Sequence, residues 1–74
     1  MEEYIGFEYI TDTAEHTGRF YCLYGLEDAV IASATIGNAT GNAFTSVPLG
    51  KNCEIEGIFT SVTLASGKII AYKI

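Results

Sequence analysis

The stretch IFTSVTLASGKIIAYKI, residues 58–74, decides the fold class. β-Branched and aromatic residues dominate it, and such residues favour pleated strands. The residues ASG interrupt it, and a short loop that ends in Gly is typical of a type I turn with a glycine bulge. The pattern therefore predicts a C-terminal β-hairpin, with IFTSVTL and KIIAYKI as its two strands.

The register of that hairpin separates its side chains into two faces. One face carries mainly apolar side chains: Ile58, Val62, Leu64, Ile70, Tyr72 and Ile74. The other face still holds Phe59 and Ile69, although a sheet with one solvated face is polar on that side. We therefore expect a second sheet or a second chain to cover Phe59 and Ile69.

The first half of this hairpin repeats an earlier segment. Residues 44–49 and 59–64 both read Phe-Thr-Ser-Val-x-Leu. Thr, Ser and Val in succession are common in strands, so the repeat predicts two comparable strands and not a duplicated site. Pro48 cannot donate to a strand ladder, and we therefore expect the earlier copy at a sheet edge or a strand end.

The rest of the chain continues the all-β pattern. Residues 19–24 and Ala29–Ile36 are predicted strands, and residues 1–10 are either an N-terminal arm or a first strand with Ile5, Phe7 and Tyr9 on one side. Residues 11–18 and 37–42 are predicted loops. Six short strands predict a single domain over residues 1–74, a small antiparallel β-sandwich or barrel completed by oligomerisation.

Composition and net charge limit the classes of partner that the chain is expected to bind. The 74 residues are 49% hydrophobic and 18% charged, which is more apolar surface than a small monomer easily hides, so we expect a homo-oligomer. The net charge is −5, with only four basic residues, and these are scattered. We therefore expect no nucleic-acid partner and no anionic membrane surface. No signal peptide or apolar run of about 20 residues is evident.

The sequence contains no catalytic signature. His16, Cys22 and Asp12 or Asp28 supply the residue types of a nucleophilic triad, but no motif surrounds them. We predict a protein that is not an enzyme, with no catalytic, cofactor-binding or metal-binding residues. Whether Cys22 and Cys53 pair is left open, although two free thiols in a reducing compartment are favoured.

The aromatic residues are the best candidates for an interaction site. Tyrosine is favoured at interfaces because its ring buries area while its hydroxyl stays hydrogen-bonded. We take six residues as interface candidates: Phe59, Ile69, Tyr72, Ile74, Tyr21 and Tyr24. The alternative is a small carbohydrate- or protein-binding β module in which Tyr21 and Tyr24 form the platform. Glu54 and Glu56 would project from one side of a strand as a solvated face.

Several segments together resemble a known class of proteins. These are DTAEHTGRFYCLYGLEDAVI from Asp12, the TGN loop from Thr40, and EIEGIFTSVTLASGKIIAYK from Glu54. They resemble small virion proteins of tailed bacteriophages and prophages, in which His-Thr-Gly precedes an aromatic strand and G-x-FTSVTLASGKVIAY closes the chain. The resemblance extends from about Thr11 onward, and its motifs are structural.

The resemblance implies a β-structured component of a bacteriophage virion. The expected kinds are a capsid decoration or cement protein, or the base of a head fibre or spike, with a tail-associated adaptor as a further alternative. The expected partners are other copies of the chain, with a trimer favoured, and virion proteins such as the major capsid protein. The expected location is the virion, after synthesis in the cytoplasm of the host bacterium.

Overall fold

Antiparallel β-strands make up the computed structural model of the chain, which describes residues 5–74. The strands are β1 (Phe7–Ile10), β2 (Glu15–Gly25), β3 (Ala29–Ile36), β4 (Thr45–Leu49), β5 (Glu54–Ser66) and β6 (Ile69–Lys73). They form one six-stranded sheet in the order β1-β6-β2-β5-β3-β4. The predicted all-β antiparallel class is confirmed.

The two longest strands, β2 and β5, fold this sheet into two layers. Residues 20–25 of β2 pair with β6, while residues 59–66 of β5 pair with β3. Between those halves the β2–β5 register shifts twice, before and after Phe20. Strands pass from one layer to another at such bulges and bends. The first layer therefore contains β1, β6 and one half each of β2 and β5, and the second contains the other halves with β3 and β4.

The core lies between the two layers and draws on every strand. Its buried residues are Ile10, Phe20, Leu23, Ala29, Ile31, Leu49, Phe59, Val62, Leu64, Ile69 and Ala71. The accessible surface of the chain is 4444 Å². A monomer of 8.0 kDa is expected to expose roughly 4,450 Å². The folded chain thus exposes about as much total surface as an average monomer of its mass.

The predicted C-terminal hairpin is wrong in its pairing. Gly67 and Lys68 do connect β5 to β6, and Gly67 has the left-handed φ of 88° that the glycine turn requires. The two strands nevertheless lie on opposite sides of β2. Gly25 at the end of β2 pairs with Ile69, and the Leu26 amide donates to the Lys68 carbonyl at 3.0 Å. Because β5 bends, its C-terminal end lies away from β6. The rules for short turns do not predict this bend.

Some of the remaining predictions are confirmed, and others are corrected. The strand Ala29–Ile36, the loop over 37–42 and the edge position of the Pro48 strand are confirmed. Residues 15–18, predicted as loop, belong to β2, and residues 15–17 pair with residues 61–63 of β5. Of the segment 1–10, residues 7–10 are a strand, and residues 1–4 lie outside the described part.

Candidate functional site

The outward surface of the first layer carries an unusual density of aromatic side chains. The register sets Phe7 and Cys22 opposite Tyr72, and it sets Tyr9 and Tyr24 opposite Ile70. Directly opposed residues point to the same side of a sheet. We call this surface the outer aromatic face. Its members are Ile5, Phe7, Tyr9, Tyr21, Tyr24, Ile70, Tyr72 and Ile74.

A bulge in β2 brings Tyr21 onto this face. From Phe20 to Cys22 the strand advances two residues, while the paired β6 advances one, from Lys73 to Tyr72. Phe20 and Leu23 are both fully buried although they are three residues apart. Strict alternation would place them on opposite faces. The bulge therefore turns both Tyr21 and Cys22 outward, and Tyr21 comes to lie beside Tyr72.

Three rings of the outer aromatic face pack against one another. The Phe7 and Tyr72 centroids are 6.2 Å apart with an interplanar angle of 72°, an edge-to-face contact. Tyr21 lies 6.2 Å from Tyr72 on the other side, at 39°. Aromatic contacts of this kind contribute about 0.5–1.5 kcal/mol each beyond the area they bury. The three rings thus form a preorganised surface that spans three neighbouring strands.

The edge of this face nearest β1 is open to solvent. Ile5 is 64% exposed, Phe7 48%, Tyr9 57% and Ile74 36%. At about 200 Å² for each large side chain, these four expose roughly 400 Å². The largest apolar patch on an ordinary monomer is about 300–600 Å², and such patches are often functional. The outer aromatic face reaches that size before its half-buried tyrosines are counted.

Acidic residues border the face along β5. Glu54 lies opposite Tyr24, and Glu56 lies opposite Cys22. The Cys22 thiol is 3.7 Å from Oε1 of Glu54. Burial, and then the negative charge of Glu54, raises the pKa of Cys22 to about 11, which keeps the thiol neutral. The face therefore has an uncharged centre with an acidic border on one side.

A polar cluster at one end of the layers ties β1 to β2. Nδ1 of His16 lies 2.8 Å from Oε2 of Glu8, and its Nε2 lies 2.8 Å from Oδ1 of Asp12. Lys73 approaches Glu8 at 3.8 Å. The carboxylates of Glu8 and Asp12 raise the pKa of His16, and His16 in turn lowers the pKa of Asp12. We call these four residues the His16 clasp, because they hold the edge strand β1 against the start of β2.

The six interface candidates separate into two groups. Phe59 and Ile69 have no exposed area and lie in the core, so other residues of the same chain cover them. In this fold they are not available to another subunit. Tyr21, Tyr24 and Tyr72 are partly buried, and all three lie on the outer aromatic face with Ile74.

Sequence reasoning missed the most exposed part of the face. Ile5, Phe7 and Tyr9 were not among the interface candidates, although they share one side of the N-terminal segment. Their alternation was the available signal. It points to a site only when β1 is known to pair with β6, because that pairing sets Phe7 and Tyr9 beside Tyr72 and Ile70.

The other possible sites contain few groups that could bind a ligand or react. A shallow cavity of about 260 Å³ lies between β3 and the loop that follows it, with Ile36 and Phe44 among its lining residues. Within residues 5–74 no group of His, Cys, Asp and Glu is arranged to hold a metal ion. The same residues include no helix that could span a membrane. Cys22 is buried, Cys53 is exposed, and both are free thiols.

Comparison with protein-family models, with curated proteins and with solved structures gave no match. Any statement about function therefore depends on the residues of this chain and on the geometry of the outer aromatic face.

Proposed function

We propose that this chain is a structural component of a bacteriophage virion and not an enzyme. In this proposal it assembles as a homo-oligomer, with three subunits favoured, and attaches to other virion proteins such as the major capsid protein. It serves as a capsid decoration or cement protein, or as the base of a head fibre or spike. The phage context comes from the sequence resemblance over residues 11–74.

One observation supports assembly as the mechanism: the preformed outer aromatic face. Protein interfaces are enriched in tyrosine and phenylalanine and depleted of charge at their centres. The face has that composition, and its rings are already packed against one another through Tyr72. A surface that is ordered before binding loses less conformational entropy on association. These are the properties required of a protein that acts by binding other subunits.

The virion proposal is tested on particles from the bacterial strain that encodes the chain. Gradient-purified phage particles are analysed by quantitative mass spectrometry, with the major capsid protein as the internal reference. The proposal predicts that the chain is present at a fixed ratio to that protein through successive purification steps. Separate analysis of heads and tails distinguishes capsid attachment from a tail-associated adaptor. A chain that is abundant in the lysate but absent from purified particles would refute the proposal.

The competing function is a small carbohydrate- or protein-binding module. The partly exposed Tyr21 and Tyr24 favour it, because sugar rings stack on aromatic faces. Tyr24 also donates a hydrogen bond to Oδ1 of Asn52 at 2.9 Å, which fixes its hydroxyl. Both rings lie on a sheet surface, however, and the shallow cavity is lined by other residues. A glycan array with the native protein, and with Tyr24→Ala as its matched negative, separates this function from assembly.

A further inference from the structure

We propose that the His16 clasp is a proton-operated latch that holds the two layers together along the β1 side of the sheet. In its closed form the imidazolium of His16 binds two carboxylates, those of Glu8 on β1 and of Asp12 in the loop between β1 and β2. Loss of one proton opens the clasp and frees the start of β1. The inference concerns the folded chain itself and does not depend on the proposed function.

The strand registers place the two central members of the clasp in different layers. Glu8 lies opposite Ala71 of β6 in the first layer. His16 lies opposite Val62 of β5 in the second layer. Ala71 and Val62 have no exposed area, and directly opposed residues point to the same side of a sheet. Glu8 and His16 therefore both point into the space between the layers, where their side chains meet at 2.8 Å.

The two short contacts of the ring define how many protons it carries. Nδ1 of His16 lies 2.8 Å from Oε2 of Glu8, and Nε2 lies 2.8 Å from Oδ1 of Asp12. An ionised carboxylate only accepts hydrogen bonds, and a neutral imidazole has one N–H whereas an imidazolium has two. Both contacts therefore exist together only when His16 is charged. After deprotonation one ring nitrogen presents a lone pair to a carboxylate oxygen, and that contact is repulsive.

The charges around the ring favour the closed, protonated clasp. Glu8 and then Asp12 raise the pKa of His16 through their hydrogen bonds to the ring. Lys73 of β6 approaches Glu8 only at 3.8 Å, the β5 residue opposite His16 is apolar, and Glu15, the next residue back along β2, points to the other face. The pKa of His16 in the folded chain thus lies above its ordinary value of about 6.5. The clasp is therefore closed below about pH 6.5 and opens as the pH rises through the folded pKa.

Opening of the clasp acts on a short edge strand. β1 has four residues and pairs only with β6. Its last residue, Ile10, is fully buried in the core, whereas Phe7 and Tyr9 are exposed. The start of β1 is therefore the part that separates when Glu8 loses its contact with the ring. Its separation removes Phe7 from Tyr72 and uncovers the edge of β6.

Two backbone amides allow a direct test by hydrogen exchange measured with NMR. The Lys73 amide donates to the Gly6 carbonyl at 2.8 Å, so it loses this partner when the start of β1 separates. The Gly37 amide donates to the Ile58 carbonyl at 2.9 Å, at the end of β3, and is the matched control. Both exchange rates are divided by the intrinsic rate at each pH between about 6 and about 8.5. His16 is the only histidine in the chain, so its ring signals report its pKa in the same samples.

The inference predicts different behaviour of the two amides. Protection of the Lys73 amide falls as His16 loses its proton, by about tenfold for each pH unit by which the measured pKa of His16 exceeds about 6.5. Protection of the Gly37 amide stays within about twofold, because its local opening leaves the clasp intact. Equal losses at both amides would show a general loss of stability and would overturn the inference. A Lys73 amide whose protection ignores the titration of His16 would show a static contact and would also overturn it.

A pair of isosteric variants separates the two arms of the clasp, with circular dichroism to verify that both fold. Glu8→Gln removes the pH dependence of protection at Lys73, because an amide carbonyl accepts a hydrogen bond from the neutral ring as well as from the charged one. Asp12→Asn keeps that pH dependence with its midpoint at lower pH, because the Glu8 arm still joins the layers. A Glu8→Gln variant that keeps the full pH dependence at Lys73 would contradict the inference.

Discussion

Replacement of Phe59 distinguishes a core position from an interface position. Phe59 has no exposed area and pairs with Phe20 on β2 and with Ile36 on β3. Truncation of a buried Phe to Ala costs about 3–5 kcal/mol. A domain of 74 residues has a total stability of about 4–11 kcal/mol at about 0.05–0.15 kcal/mol per residue. Phe59→Ala would therefore remove much of the stability, and Phe59→Leu is the variant to measure.

We expect Phe59→Leu to lower the free energy of unfolding by about 1–2 kcal/mol, which is typical of a core substitution that leaves a small cavity. Each kcal/mol corresponds to a fall in Tm of about 4–8 °C for a domain of this size. The assay is urea denaturation followed by circular dichroism at several protein concentrations. Ile58→Ala, at the neighbouring and 36% exposed position, is the control and should cost less.

The dependence of this stability loss on protein concentration distinguishes a core residue from an interface residue. A core residue destabilises each subunit by the same amount whether or not it is assembled, so the loss should not change with protein concentration. An interface residue would show a loss that grows as the oligomer is populated. A loss below about 0.5 kcal/mol, as at a surface position, would refute the placement of Phe59 in the core.

Three further predictions concern other parts of the fold. Gly67→Ala should lower the free energy of unfolding, measured by urea denaturation, by about 2–5 kcal/mol, because φ is 88° and the new Cβ would lie 2.5 Å from Ala29. A loss below about 1 kcal/mol would contradict the turn geometry. The pKa of His16 is raised on folding, so its stabilisation is complete below about pH 6.5 and is lost as pH rises through the folded pKa. Denaturation from about pH 6 to about pH 8.5 should show this decline in the native chain and not in His16→Gln. Iodoacetamide should alkylate the exposed Cys53 in the native protein and spare Cys22, whose pKa is raised to about 11, until denaturant is added.

Much of the secondary structure follows from local chemistry. The missing amide of Pro48 correctly predicts an edge strand, and the β-branched run Ala29–Ile36 correctly predicts a strand. The prediction that other residues cover Phe59 and Ile69 is also correct. The pairing of β6 could not be predicted, because the short turn at Gly67 favours a hairpin while the bend in β5 separates the two strands.

The outer aromatic face was only partly predictable for a related reason. Its tyrosines could be selected by residue type, since tyrosine is favoured at interfaces. Their common orientation depends on a bulge at Tyr21, and alternation along the sequence does not reveal a bulge. The contribution of Phe7 and Tyr9 depends on the pairing of β1 with the C-terminal strand, residues more than 60 positions away. Long-range register, and not residue type, assembles the candidate site.

The most direct test of assembly through the outer aromatic face is the solution mass of the native chain and of Tyr9→Glu, measured by light scattering over a concentration series. The account predicts a native mass that is a small multiple of 8.0 kDa, with three copies favoured, and a shift of the variant towards a single copy. A native chain that stays at 8.0 kDa at every concentration would contradict it. So would a folded Tyr9→Glu variant with the same mass as the native oligomer.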